Sequence, residues 1–100
     1  MSEPTTVVNV DDAAFEVYIG RSVKRRGFAA SKWANPYPVT KERSRPVVIA
    51  MFCEYLRRSP ELMAALPELK GKVLGCWCAP KACHGDVLAE LANALPEEEQ

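Results

Sequence analysis

Three thiols and the chain's only imidazole fall within nine residues: Cys76, Cys78, Cys83 and His84. Three chemistries fit that concentration. Three thiolates and one imidazole form a tetrahedral zinc set, so the four residues are candidate metal ligands. The spacing C-x-C-x4-C-H differs from paired C-x2-C knuckles, and adjacent Cys83 and His84 do not readily reach one ion together. Alternatively, a cysteine at a helix N-terminus has its thiolate favoured by free N–H groups and the helix dipole. That makes Cys83 a candidate nucleophile, with His84 or Asp86 as proton carrier. Finally, a strand feeding a turn and then a helix is a ready anion site, with Lys81 and Gly85 suited to a phosphate. On that reading the cysteines are inert packing residues.

A second group lies earlier in the chain. Tyr18-Ile19-Gly20-Arg21 ends in a glycine, which permits close backbone approach, and a forked cation suited to phosphate or carboxylate. Ser31-Lys32-Trp33-Ala34-Asn35-Pro36-Tyr37 mixes aromatic faces, an amide and a cation. Stacking from Trp33 or Tyr37, hydrogen bonds from Asn35 and charge from Lys32 would grip a nucleobase or sugar-phosphate. The plainer reading makes Trp33 and Tyr37 a plug over the sheet edge. Eight basic residues against the single acid Glu42 lie between Arg21 and Arg45, a local field that draws phosphates or acidic surfaces, or simply a solvated loop.

The elements that must position these groups follow from periodicity. Thr6–Val10 and Phe15–Ile19 read as strands, and Val73–Trp77 is the strongest strand pattern. If the last persists, Cys76 and Cys78 share a face. Residues 20–39 have no periodicity, and a basic loop is expected over 21–43. Its aromatics argue for order. Ser44 is the expected N-cap of a helix reaching about Arg58, with Ile49, Phe52, Cys53 and Leu56 as its buried stripe. Ser59-Pro60 begins a short helix carrying Leu62, Met63 and Leu66. His84–Leu95 is the last helix, ended by Pro96. The fold class is therefore α/β or α+β, a single domain with about three short strands covered by two to three helices. Residues 1–5 and 97–100 are expected to be flexible tails.

Composition narrows the classes further. One hundred residues with 48% hydrophobic content make one domain with a real core. Thirteen basic and thirteen acidic residues argue against a simple nucleic-acid coat protein. No apolar run matches a membrane span, and the N-terminus lacks the regions of a signal peptide. The expected location is the cytoplasm of whatever cell makes the protein, where four cysteines are thiols or metal ligands rather than disulfides.

The segments Y-I-G-R (18–21), S-K-W-A-N-P-Y (31–37) and G-K-V-L-G-C-W-C-A-P-K-A-C-H-G-D-V-L (71–88) resemble the family called domain of unknown function 4326. The resemblance runs from about Val7 to Asn93. It implies an origin in bacteria or their viruses and brings no established activity. Ala34 stands where the family pattern has glycine, and Tyr37 where it has phenylalanine. A positive φ at that glycine would strain Ala34.

These readings converge on a binding domain with one composite site. Arg21, Lys32, Trp33 and Asn35 form one wall; Cys76, Cys78, Cys83, His84 and Asp86 form the other. The expected ligand is a small anion, a nucleotide or a nucleic-acid end, with zinc as the one cofactor the residues suggest. The alternatives are an enzyme acting on a nucleotide-like substrate through Cys83 or a metal-bound water, and a viral module that contacts a host protein through the basic loop.

Overall fold

A computed structural model of the chain describes residues 4–96. Its sheet has three parallel strands, β1 (Thr6–Asn9), β2 (Val17–Tyr18) and β3 (Val73–Cys76), in the order β1-β3-β2. Helices α1 (Arg45–Arg57), α2 (Pro60–Ala65) and α3 (His84–Asn93) complete the fold, with single 3-10 turns at Lys24–Arg26 and Leu66–Leu69. This is the small α/β domain expected from the sequence.

The last strand in the chain is the central one. Thr6 pairs with Val73 and Asn9 with Cys76 on one side; Val17 pairs with Leu74 and Tyr18 with Gly75 on the other. Only residues 10–16 join β1 to β2 across the sheet. Alternation assigns the two faces. Leu74 and Cys76 enter the core with Leu88 and Ala92 of α3, while Gly75 faces the other way. A Cβ at Gly75 would lie 2.5 Å from the Phe15 ring, so only glycine lets the β1–β2 connection cross directly over the strand.

That second face carries an aromatic layer. Tyr18 and Phe28 stack at 4.4 Å, Phe28 meets Trp77 edge-on at 5.7 Å, and Trp77 Nε1 donates to Tyr18 Oη at 2.7 Å. Trp77 is drawn into this layer and out of the strand, which ends at Cys76 rather than Trp77. Phe28 arrives from the long basic loop, held by an antiparallel bridge between Val23 and Phe28. Through Phe28 the loop packs against the sheet.

Helix α1 begins after Ser44 with Pro46 in its first turn, although Ser44 makes no side-chain capping bond. Its buried stripe is Val48, Phe52 and Leu56, an i, i+4, i+8 row. Ile49 and Cys53, expected in the stripe, sit half-buried on its flank because the helix rotates Val48 toward the core. Ser59 caps α2 by accepting from the Leu62 N–H at 3.3 Å. Phe52, Leu56, Leu66, Leu69, Leu74 and Leu88 are wholly or almost wholly buried in the core, each burial worth about 1.5–3 kcal/mol.

The N-terminal expectation needs correcting at Thr5, which is buried rather than part of a loose tail. Its Oγ1 donates to Leu69 O and accepts from Gly71 N, while its backbone exchanges two bonds with the Asn93 side chain. Residues 1–3 and 97–100 of the expected tails lie outside the described residues. No helix among the described residues is long and apolar enough to cross a membrane.

Candidate functional site

The chain between β3 and α3 is held in a defined shape. Asn9, at the end of β1, donates through Nδ2 to Trp77 O at 3.1 Å and to Ala79 O at 3.0 Å. Lys81 N donates to Cys78 O at 2.8 Å, turning the chain back toward the helix. Cys83 then serves as N-cap of α3. Its Sγ accepts from Gly85 N at 3.3 Å, and Asp86 Oδ2 accepts from Cys83 N at 3.1 Å. Asp86 is thus an exposed capping residue.

Turning the chain back brings Cys83 Sγ within 3.3 Å of Cys76 Sγ, both almost wholly buried. Either sulfur can be the donor in this contact, which holds the Cys76 thiol below its ordinary range and pushes Cys83 above it. Burial opposes a charge on either sulfur, and the backbone N–H groups of Ala79 and Cys78 favour the Cys76 thiolate.

His84 faces a different partner. Its Nε2–H donates to Ile19 O at 2.8 Å, and its ring meets Phe52 edge-on at 5.0 Å. Burial pushes the imidazole below its ordinary 6.5; the Arg21 charge acts in the same direction, and the Ile19 and Trp33 carbonyls oppose it. The imidazole is therefore directed to Ile19, just past β2, and the sulfurs to each other. Among the described residues, no three His, Cys, Asp or Glu side chains are grouped so that they could hold a metal ion.

The opposite wall comes from the long loop. Arg21 donates through Nε and Nη2 to Asn35 O at 3.0 and 2.8 Å. The buried Asn35 side chain donates to Val48 O and accepts from Tyr37 N, locking the loop onto α1. Ala34 fits without a left-handed backbone, since no non-glycine residue among those described has positive φ.

Between the two walls lies a cavity of about 420 Å³. Arg21, Asn35 and Tyr37 border it on the loop side, Arg45 and Ile49 on the α1 side, and Cys76, Trp77, Cys78, Cys83 and His84 on the side of the Cys-rich segment. The volume falls in the range that encloses small ligands. Among the described residues, no aspartate or glutamate lines it, whereas two arginines do. Arg45 spends one weak bond, Nη1 to Ala82 O at 3.3 Å, out of five donors.

The fold therefore joins Arg21 and Asn35 to Cys76, Cys78, Cys83 and His84 in one place. The other expected residues sit elsewhere. Trp33 is 2% exposed and belongs to the core, the plug rather than the stacking platform. Lys32 is drawn off to Glu68 at 2.9 Å, with its ammonium 5.4 Å from the Trp33 ring. Lys81 is exposed outside the cavity, and Gly85 is packed under Ile19 and Val7. Arg45 and Asn9 were not singled out from sequence. Arg45 belongs to the basic run but looks like a helix-start residue, and Asn9 has no signal at all, because its partners are 68 and 70 residues away.

Fold and site define a small α/β domain with a cation-bordered cavity at the C-terminal end of its central strand. The family model called domain of unknown function (DUF4326) matches residues 6–94, and the chain belongs to that family. It is 36% identical over 90 residues to an uncharacterised protein of Acanthamoeba polyphaga mimivirus, covering 80% of this chain and 68% of that one. It is 38% identical over 93 residues to an uncharacterised 12.4 kDa protein from the nrdA-td intergenic region of Enterobacteria phage T4, covering 89% and 78%. No solved structure matches.

Proposed function

We propose that this domain binds a small phosphate-bearing ligand with a planar ring, of the nucleotide class, in the cavity between the long loop and the Cys-rich segment. The carrying observation is the lining itself: Arg21 and Arg45 with no carboxylate among the described residues, and Tyr37 and Trp77 as aromatic neighbours. Guanidinium forks match phosphate oxygens, and aromatic rings accept a base by stacking. The site also lies beyond the carboxyl end of the central strand, where open α/β sheets place their ligands.

The test is calorimetric titration of the reduced protein with nucleoside mono-, di- and triphosphates and the parent nucleosides. The nucleoside phosphates should bind and the nucleosides should not. Arg45→Ala should weaken binding about 10- to 150-fold, the loss of a charge-assisted hydrogen bond, while leaving the fold intact. Arg45 is the better probe than Arg21, because Arg21 also ties the loop to Asn35 O. No binding by any nucleoside phosphate, or equal binding by the Arg45→Ala variant, would refute the proposal. Binding restricted to 5′-phosphorylated oligonucleotides would reassign the cavity to a nucleic-acid end.

A further inference from the structure

Cys76 ends a strand, Cys83 caps a helix, and the fold has brought their sulfurs to 3.3 Å in the cavity wall. A disulfide needs about 2.05 Å, so the sulfurs must close by little more than an ångström. Side-chain rotation at two neighbouring chain ends is the direct route. Cys53 lies on the flank of α1, and Cys78 borders the cavity without a partner sulfur in hydrogen-bond contact among the described residues.

We propose that Cys76 and Cys83 form a reversible dithiol–disulfide pair, oxidised by a low-molecular-weight disulfide that enters through the cavity. The Cys76 thiolate attacks one sulfur of the incoming disulfide, whose S–S bond breaks and releases one thiolate. Cys83 then gives up its proton to that thiolate. Its sulfur attacks Cys76 in the mixed disulfide and expels the second thiolate, which takes the proton Cys76 had earlier lost to solvent. Two electrons pass from the protein pair to the small disulfide, which leaves as two thiols. The new bond staples the end of β3 to the first turn of α3. The proposal stands on the sulfur pair and is independent of the ligand the cavity takes.

The full chain is equilibrated in glutathione buffers of increasing disulfide fraction, its free thiols are alkylated, and its peptides are mapped by mass spectrometry. Two thiols should disappear together as one Cys76–Cys83 cross-linked peptide, with Cys53 and Cys78 still alkylated and dithiothreitol restoring all four. Cys83→Ser should keep the helix cap, since serine is a favoured N-cap, and should trap glutathione on Cys76. Four thiols that stay free at the most oxidising ratio overturn the proposal. So do thiols that oxidise only after a chelator is added, a cross-link through Cys78, or glutathione landing on Cys78 or Cys53 in the Cys83→Ser chain.

Discussion

His84 is half-buried with its Nε2–H on Ile19 O, and acid has to charge it there. The imidazole titrates lower in the folded protein than its ordinary 6.5. On acidification the unfolded chain therefore takes up the proton first, and stability is lost as pH falls below about 6.5. One proton gives a slope of at most about 1.4 kcal/mol per pH unit. The Cys76 thiol, held low at about 6, adds its own loss of stability as pH falls from about 9, so the imidazole is read as a difference: below about pH 6.5, urea midpoints should fall less steeply in His84→Gln than in the wild type. Parallel wild-type and His84→Gln curves below about pH 6.5 would refute the neutral imidazole. At this scale the sequence was legible where chemistry concentrates. The Cys/His cluster, Arg21 and Asn35 do meet. It was illegible where one residue type serves two purposes: Trp33 in a loop reads alike whether it stacks on a ligand or plugs a core, and Lys32 gives no hint that Glu68 waits for it.

At the scale of elements, α3 is the piece on which both site and fold depend. Gly85 in its first turn lies so close to the sheet that a Cβ would meet Ile19 Cδ1 at 2.7 Å, Val7 Cγ1 at 3.1 Å and Cys83 Sγ at 3.2 Å. Alanine is worth about 1 kcal/mol over glycine inside a helix, but overpacking costs about 1–3 kcal/mol. Gly85→Ala should therefore destabilise the domain in urea titrations, and an unchanged midpoint would contradict the packing. Ser59→Ala should cost about 1 kcal/mol by removing the cap bond to Leu62 N, read by the same titration. The helices were legible because a 3.6 period and prolines in first turns mark them directly. The strands were less so. β2 holds two paired residues, and its flanking residues bond to β3 without extending the ladder, so Phe15 and Ile19 look like strand in sequence and act as packing. The bridge from Val23 to Phe28 inside the basic loop left no periodic trace.

For the molecule as a whole, one face of the sheet is closed by helices and the other by rings. Phe52, fully buried between α1 and the rest of the core, should cost about 3–5 kcal/mol as Phe52→Ala, enough to unfold a domain of this size at modest denaturant. A loss under about 1 kcal/mol would mean the core is not the cluster described. The fold class could be read from the order of elements, but the strand order could not, because nothing local tells β1 and β2 that they flank a strand more than fifty residues later. That arrangement governs how the protein comes into being. A nascent chain carrying everything up to Lys72 holds two short edge strands and no centre, so it has nothing to pair them with and no floor for its cavity. Sheet, cavity and thiol pair must all appear together, when β3 and α3 arrive between strands made long before them.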